Sequence, residues 1–220
     1  VGEVIALKPF IEELLLAYPE LPITLTTFTP TGSAQVKKLF TERVQHCYLP
    51  LDVFICTWLF LKTLKPQAIV FMETELWPNL IAQAANKKIK LLLVNARLSD
   101  HSLKRYKKLT WLIKPTLNCF DVILPQSKPN LSNFTALGAE ESKCQLVGNL
   151  KFDISNNANI EAKKIELSGF LPINRKIWLI ASTHQGDEEL AIQAFKKLIN
   201  TQSNLLLILV ARHPERFKSV

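Results

Sequence analysis

Short apolar runs alternate along the chain with longer stretches whose apolar residues recur at helical spacing. The runs are near-continuous and rich in branched side chains, at positions 23–28, 68–72, 91–94, 122–124, 177–181 and 205–210. Runs of this kind are typical of strands that are buried on both faces of a parallel sheet. The stretches at residues 4–15 and 190–199 have the apolar stripe of a helix that packs on one side. This alternation predicts an α/β fold with an open parallel sheet.

The pattern lapses once, between residues 151 and 175, and a new strand-helix-strand pattern begins at Lys176. The lapse predicts a boundary near residue 150, with a first domain over residues 1–149 and a second over residues 150–220. One strand-helix-strand unit is too small to bury both faces of a parallel sheet. The second domain is therefore expected to be incomplete.

Composition indicates a packed globular protein with basic character. The 220 residues are 48% hydrophobic, and 27 Lys and Arg against 19 Asp and Glu give a net charge of +8. Such an excess attracts nucleic acid, phospholipid or phosphorylated sugars. Residues 83–114 hold nine of the basic residues and Asp100 as their single acid. This segment is either a solvated helix face or a patch for acidic head groups and lipid phosphates.

Other residue types narrow the function classes. Cys47, Cys56, Cys119 and Cys144 form no C-x-x-C pair and have no histidine at zinc-like spacing, so reduced, mostly buried thiols of a cytosolic protein are expected. No metal and no cofactor is predicted. No run approaches the roughly 18 apolar residues of a membrane span, and no signal peptide is recognisable. Any membrane attachment is expected to be peripheral or to lie outside this stretch.

Three glutamates are candidates for acid–base chemistry. Glu3 begins the first predicted helix, either as a simple N-terminal carboxylate or as a general base at the carboxyl ends of the strands. The helix dipole lowers its pKa, so a catalytic role needs compensating burial. Glu73 and Glu75 directly follow the run at 68–72, beside Trp77. They either favour a helix N-terminus or orient sugar hydroxyls and remove a proton.

Three further turns follow predicted strands, two of them leading into a helix, and carry groups that could bind phosphate. Hydroxyls and a glycine at residues 26–33 either cap the helix or cradle a phosphate, and capping is the default without a glycine-rich fingerprint. The other two turns supply Ser182, Thr183, His184, Arg212 and His213. An arginine at the mouth of a sheet suits bidentate recognition of phosphate or carboxylate. The acids at residues 187–188 are expected to cap and stabilise a helix.

Seven motifs occur in a particular order along the chain. They are Gly-Glu at 2–3, Thr-Pro-Thr-Gly-Ser at 29–33, Met-Glu-Thr-Glu-Leu-Trp-Pro-Asn at 72–79, Asn-Ala-Arg-Leu-Ser at 95–99, Gly-Asn-Leu-Lys-Phe-Asp at 148–153, Ala-Ser-Thr-His at 181–184 and Arg-His-Pro-Glu-Arg-Phe at 212–217. This series resembles the transferases of 3-deoxy-D-manno-octulosonic acid (Kdo) that act in lipopolysaccharide synthesis. The resemblance spans essentially the whole chain.

The resemblance implies a GT-B fold, with two Rossmann-like domains of which the second is truncated here. It implies transfer of Kdo from CMP-Kdo to a lipid A precursor (lipid IVA), with inversion, at the cytoplasmic face of the bacterial inner membrane. The first domain would take the lipid acceptor and the second the donor. Members of the family are about twice as long and have a hydrophobic anchor upstream, so residues 1–220 alone are expected to be inactive.

The resemblance also assigns roles to residues. It makes Glu3 the catalytic base, with Glu73 and Glu75 in the same site. The acceptor side is assigned to Gly2, Thr31, Gly32 and Arg97. The donor side is assigned to Asn149, Lys151, Ser182, Thr183, His184, Arg212 and His213.

Two alternatives stay open at this point. One is another GT-B enzyme that uses a UDP sugar, such as a lipid disaccharide synthase or an epimerase. The more distant one is a basic nucleic-acid-binding module, although residues 83–114 offer only Tyr106 and Trp111 for base stacking, and no nucleic-acid partner is expected. The number of Kdo units added, the oligomeric state and the source organism do not follow from the sequence.

Overall fold

The structure, a computed structural model, describes residues 2–40, 42–152, 158–172 and 174–220. The chain forms two compact units, Val1–Ser155 and Asn156–Val220. The assignment of one to the acceptor and the other to the donor remains a prediction.

The first unit alternates strands and helices. Its strands are β1 (Thr24–Thr27), β2 (Gln45–Tyr48), β3 (Ala68–Met72), β4 (Lys90–Ala96) and β5 (Val122–Pro125). Its α-helices are α1 (Gly2–Ala17), α2 (Pro30–Phe40), α3 (Phe54–Leu64), α4 (Pro78–Asn86), α5 (Asp100–Tyr106), α6 (Thr110–Asn118) and α7 (Lys128–Ala136). Short 3₁₀ turns lie at Lys107–Leu109, Glu141–Lys143 and Leu150–Phe152.

All strand pairs of this unit are parallel, which confirms the α/β prediction. β1 pairs with β2, and β3, β4 and β5 form a three-stranded sheet in that order. The four runs predicted in this part of the chain all become strands. β2 was not predicted, because its sequence Gln-His-Cys-Tyr has neither an apolar run nor an apolar face, and its end residues are exposed.

Two apolar clusters hold the first unit together. The larger surrounds β3, β4 and β5, where Leu91, Leu93 and Ile123 are fully buried and Phe71 packs edge-on against Phe120 with ring centroids 5.6 Å apart. The smaller joins α1 to α2 and the β1–β2 pair through the stripe predicted for α1, which buries residues such as Ile11. A side chain of this size contributes about 1.5–3 kcal/mol when it is fully buried.

The second unit contains α8 (Ala158–Ser168), β6 (Lys176–Thr183), α9 (Asp187–Leu198), β7 (Leu205–Ala211) and a 3₁₀ turn at Pro214–Arg216. β6 and β7 are parallel, and α9 packs against both. The prediction that both faces of these strands are buried is wrong for β6, since Ile177 and Leu179 are exposed. Within the described residues the sheet has two strands, so too few elements surround it to cover both faces.

Two further features concern the cysteines and the length of the helices. The four cysteines are free thiols, but they are half-buried rather than mostly buried. Partial burial raises the pKa of Cys47, Cys119 and Cys144. In the described ranges, no helix is both long and apolar enough to cross a bilayer.

Candidate active site

The carboxyl ends of β3 and β4 both turn through a left-handed residue. The register pairs Met72 with Val94, and the next residue has a φ of 54° at Glu73 and 50° at Asn95. The Glu73 N–H donates to the Val94 carbonyl oxygen (3.1 Å), and the Arg97 N–H donates to the Glu73 carbonyl oxygen (3.3 Å). Side chains other than glycine adopt this backbone conformation rarely. Two such residues on adjacent strands mark this edge as a candidate site.

Glu73 faces a lysine from a distant part of the chain. Its Oε1 lies 3.7 Å from the Lys151 Nζ, and the carboxylate is the more buried partner, with 17% of its side chain exposed against 49% for the lysine. The 3₁₀ turn that carries Lys151 packs against α1. The lysine was predicted to face the donor, and the structure places it beside the predicted catalytic glutamates.

Glu75 is held by its neighbour in the Glu-Leu-Trp-Pro segment. The Trp77 Nε1–H donates to the Glu75 Oε2 over 2.6 Å, and the indole stacks on Phe28 with ring centroids 5.8 Å apart. The Thr74 hydroxyl donates to the Arg97 carbonyl oxygen (2.6 Å). The loop that carries both carboxylates is thus fixed on two sides.

Glu3 opens α1 and completes the acidic cluster. Although the residue is exposed, partial desolvation raises its pKa above the ordinary value of 4.5, and the carboxylates of Glu75 and Glu73 raise it further. The Lys151 ammonium opposes this rise. Partial desolvation and the neighbouring like charges therefore offset the effect of the helix dipole on this pKa, although the Glu3 side chain stays exposed.

A buried asparagine that the sequence analysis did not select positions Lys151. Asn95 is 1% exposed; its Oδ1 accepts the Leu150 N–H (3.2 Å), and its carbonyl oxygen accepts the Gln126 Nε2–H (2.7 Å). Asn149 donates to the Gln126 Oε1 over 3.2 Å. These bonds tie residues 149–151 to the ends of β4 and β5. A polar residue directly after a buried apolar run was the available signal.

Asp52, also missed, connects α3 to the Glu-Leu-Trp-Pro segment. Its two carboxylate oxygens accept the backbone N–H groups of Asn79 (3.1 Å) and Leu80 (2.9 Å) in the first turn of α4. The Asn79 Nδ2–H donates back to the Asp52 carbonyl oxygen (2.7 Å). Asp52 caps α4 from a distant loop, a function usually performed by the residue just before a helix.

The turn after β1 caps its helix, as the default interpretation predicted. The Gly32 N–H donates to the Thr29 Oγ1 (3.1 Å), and the Thr31 hydroxyl lies 3.3 Å from the same atom. A Cβ at Gly32 would lie 3.1 Å from Thr27, so glycine permits the close approach of α2 to the end of β1. Gly2 is exposed at the start of α1.

Arg97, the other predicted acceptor residue, presents its side chain to solvent. Its main chain is used in the turn, but among the described residues its guanidinium forms no hydrogen bond or ion pair. A cation without a protein partner beside the acidic cluster is available to an anionic group.

In the second unit, Thr183 makes its hydrogen bonds within the protein. It is 2% exposed; its hydroxyl donates to the Glu188 Oε1 (2.6 Å), and its carbonyl oxygen accepts the Arg212 N–H (3.1 Å). Arg216 donates from Nη1 and Nη2 to the two Glu188 oxygens over 2.9 and 3.1 Å. These bonds lower the pKa of Glu188 to about 2. Thr183 therefore fixes the turn in this structure, and Glu188 has the stabilising role predicted for it.

The remaining predicted donor residues stay open to solvent at the ends of β6 and β7. Ser182 has a φ of 62°, and the His184 and His213 rings lie 6.1 Å apart. Asp187, the first residue of α9, accepts the His184 N–H (2.8 Å), so it fixes the turn before the helix and is not the cap that was predicted. The Arg212 side chain is exposed. The two turns thus bring an arginine, two histidines and a serine to one edge of this sheet.

Within the described ranges, no group of three or more His, Cys, Asp or Glu side chains is arranged to hold a metal ion. The first unit brings together a carboxylate of raised pKa (Glu3), two neighbouring carboxylates (Glu73 and Glu75) and one lysine (Lys151).

Comparison with known proteins decides the family. Residues 1–154 match the family described as 3-deoxy-D-manno-octulosonic-acid transferase (kdotransferase). The chain belongs to this family. The predicted resemblance is thereby confirmed, and with it membership of a group of glycosyltransferases.

Curated relatives in the Kdo transferase family match along the whole chain. A 3-deoxy-D-manno-octulosonic acid transferase of Haemophilus influenzae is 40% identical over 220 residues, which are all of this chain and 52% of that protein. The Rickettsia bellii protein of the same name is 34% identical, again over all of this chain and 52% of its own length. The chain thus spans about half the length of these relatives.

Solved structures support the fold. The UDP-GlcNAc 2-epimerase of Neisseria meningitidis superposes with a TM-score of 0.64 at 16% identity, covering 99% of this chain and 65% of that one. The Methanocaldococcus jannaschii enzyme gives 0.62 at 16% identity, covering 100% and 66%. At this identity the likeness shows the fold alone, and it confirms the predicted GT-B class.

Proposed function

We propose that the complete enzyme that carries this chain transfers Kdo from CMP-Kdo to a lipid A precursor, lipid IVA, with inversion of the anomeric carbon. Family membership supports sugar transfer. The observation that carries the mechanism is the raised pKa of Glu3 within the cluster formed with Glu73 and Glu75. A general base is most effective when its pKa approaches the working pH.

In this mechanism the Glu3 carboxylate accepts the proton of the acceptor's primary hydroxyl. The hydroxyl oxygen forms a bond to the anomeric carbon of Kdo, and the bond from that carbon to the CMP phosphate oxygen breaks. Glu73 and Glu75 stabilise the protonated form of Glu3 once it has accepted the proton, because they are carboxylates close to it. No metal is required for these steps.

The other predicted residues have supporting roles in this proposal. The exposed Arg97 guanidinium contacts a phosphate of the acceptor. Gly2, Thr31 and Gly32 are also assigned to the acceptor side. On the donor side, Ser182, His184, Arg212 and His213 are available to CMP-Kdo, and Asn149 positions Lys151. Thr183 acts through the backbone, because its hydroxyl already donates to Glu188.

The proposed location is the cytoplasmic face of the bacterial inner membrane, in peripheral contact with lipid. The net charge of +8 supports this location, since that leaflet carries anionic lipids. The acceptor is itself a phosphorylated lipid, so a membrane-bound enzyme meets it without extracting it.

The decisive experiment is the turnover of the Glu3→Gln enzyme with CMP-Kdo and lipid IVA. Glutamine keeps the shape and removes the basicity, so turnover is expected to fall about 10²–10⁴-fold while CMP-Kdo binding is unchanged. Glu13→Gln is the matched control, because Glu13 is an exposed glutamate on the same helix. Near-normal turnover of Glu3→Gln would reject Glu3 as the base.

The donor is tested separately by titrating the wild-type enzyme with CMP-Kdo and with UDP sugars. Tight binding of CMP-Kdo alone is expected. Preferential binding of a UDP sugar would reject the proposed donor and would favour the alternative of another GT-B enzyme that uses a UDP sugar.

A further inference from the structure

The loop and helix after β2 expose six large apolar side chains. We call this set the apolar surface: Leu51, Val53, Phe54, Ile55, Trp58 and Leu59. Their exposed fractions lie between 40% and 72%. The four residues on α3 stand at spacings of one and four, so they share one face of the helix.

The opposite side of α3 faces the protein. Thr57 and Leu61 are buried there, and α3 packs against α4. The Gln83 Nε2–H donates to the Phe54 carbonyl oxygen (3.0 Å) and to the Thr57 hydroxyl (2.6 Å). A surface helix normally turns a polar face to water. Here the face turned to water is apolar, and exposed apolar patches of this kind mark interaction sites.

Charge around the apolar surface indicates what covers it. Lys62 and Lys65 stand at the carboxyl end of α3, and the Lys62 Nζ lies 4.7 Å from the centre of the Trp58 ring. The acid of this region, Asp52, has both oxygens engaged by the first turn of α4. Tryptophan beside lysine is typical of protein surfaces at an anionic lipid interface.

We propose that the apolar surface seats α3 in the head-group region of an anionic phospholipid bilayer, parallel to its plane. The 11 residues of the helix extend only about 16 Å at 1.5 Å per residue, about half of the hydrocarbon core, so the helix lies in the interface. Phe54, Ile55 and Leu59 reach toward the acyl chains. The lysines meet the lipid phosphates.

The same surface is tied to the candidate active site. Asp52 lies between β2 and α3 and caps the helix that follows Glu75 and Trp77. Phe28, itself exposed, stacks on Trp77. A bilayer that holds α3 therefore lies at a fixed distance from the acidic cluster. The inference rests on the proposed function only for the identity of the lipid acceptor.

The basic segment of residues 83–114 is less suited to this contact, because it does not form one surface. Lys87 and Lys88 precede β4, whereas Arg97 follows it. The seven residues of β4 separate them by about 23 Å at 3.3 Å per residue. Within the segment, Lys90 is already paired with Asp121 over 2.9 Å.

The test is flotation of the purified protein with vesicles of equal parts phosphatidylethanolamine and phosphatidylglycerol, without donor or acceptor. The triple variant Phe54→Ser/Ile55→Ser/Leu59→Ser is expected to bind at least about tenfold more weakly than wild type, because binding scales with buried apolar area. The control is Leu16→Ser/Leu146→Ser/Val147→Ser, which removes three exposed apolar residues elsewhere in the same unit. Far-UV circular dichroism checks that both variants are folded.

Tryptophan fluorescence gives a second readout on the same vesicles. Trp58 emission is expected to shift to the blue and to be quenched by brominated acyl chains, and Trp58→Phe is expected to abolish both effects. Trp111→Phe, which removes an exposed tryptophan outside the apolar surface, is expected to retain them.

Three results would overturn the proposal. The first is that the triple variant and wild type bind vesicles equally well, and the second is that vesicles do not change Trp58 emission. The third is that the wild-type protein is a dimer without lipid and that the triple substitution makes it a monomer. The last result would assign the apolar surface to a second copy of the chain. Failure of the proposed function is distinguishable, because vesicle binding through α3 by an enzyme that transfers no Kdo would leave this inference intact.

Discussion

Glu3 and Glu188, each in the first turn of a helix, have opposite electrostatic environments. In the first unit, Glu3 is surrounded by carboxylates and partly desolvated, which raises its pKa. In the second, Glu188 accepts hydrogen bonds from Arg216 and Thr183, which lower its pKa to about 2. The same side chain is thus ready to accept a proton in one place and fixed in its charged form in the other.

The difference indicates how the proposed catalytic carboxylate differs from a structural one. Both carboxylates lie in the first turn of a helix, where the helix dipole favours a negative charge. What separates them is whether nearby groups are donors that satisfy the charge or acids that oppose it. Asp52, whose oxygens accept two backbone N–H groups, belongs with Glu188, although it lies in the same unit as Glu3.

The largest expected effect in this comparison is loss of stability in Glu188→Gln. The substitution removes the charge that satisfies the Arg216 guanidinium, so an arginine that is largely shielded by the protein loses its ionic partner. The melting temperature, followed by circular dichroism, is expected to fall. Glu189→Gln, an exposed neighbour on the same helix, is expected to melt like wild type. An unchanged melting temperature for Glu188→Gln would show that the Glu188 carboxylate does not stabilise the fold.

The pH dependence of stability follows from the same pair. Because folding depresses the pKa of Glu188, its contribution is complete above the ordinary value of 4.5 and is lost as the pH falls through about 2. The melting temperatures of wild type and Glu188→Gln are therefore expected to converge as the pH is lowered over this range. A constant difference would contradict the assigned cause.

An intermediate effect is expected for Asp52→Ala. Removing a helix cap costs about 1 kcal/mol, and urea denaturation measures it as a lower midpoint. Asp52→Asn is expected to recover only part of the loss, because the asparagine amide has one acceptor oxygen for the two backbone N–H groups. Glu42→Ala, at an exposed position, serves as the control. Equal midpoints for Asp52→Ala and wild type would show that the loop does not stabilise α4.

The smallest expected effects are opposite shifts of the pH–rate profile. Glu3 must be deprotonated to act as base, so activity rises with pH through its pKa. Lys151→Met removes a charge that lowers this pKa and is expected to shift the rising limb to higher pH. Glu75→Gln removes a charge that raises it and is expected to shift the limb to lower pH. If the two variants shift the limb in the same direction, or do not shift it, the group that titrates in the pH–rate profile is not Glu3.

Much of the fold followed from the sequence, because strands buried in a parallel sheet leave uninterrupted apolar runs. β3 was predicted at the residues where it lies, and the stripe on α1 is buried as expected. β2 escaped prediction because its pairing with β1, rather than an apolar pattern of its own, makes it a strand. The apolar run of β6 predicted a strand buried on both faces. Whether both faces are covered depends on how many elements surround the strand, and the sequence of the strand itself does not reveal that number.

The candidate site was predictable where a reactive side chain stands directly at the end of a predicted strand or at the start of a predicted helix. Glu73 and Glu75 follow a strand, and Glu3 opens a helix. The residues that hold them were not, because their partners are remote: Asn95 bonds Leu150, and Asp52 bonds Leu80. Arg216 was quoted within a motif, but only folding brings it to Glu188.

A laboratory selection for heat resistance alone is expected to discard Glu73. A glutamate at a φ of 54° carries a steric penalty of roughly 1–2 kcal/mol that glycine escapes. Glycine there would make the protein more durable while removing the carboxylate beside Lys151. The sequences that best survive heating and those that best transfer sugar would then diverge at this position, as expected where activity and durability compete. An engineer who stabilises this fold should therefore hold residue 73 fixed and search elsewhere.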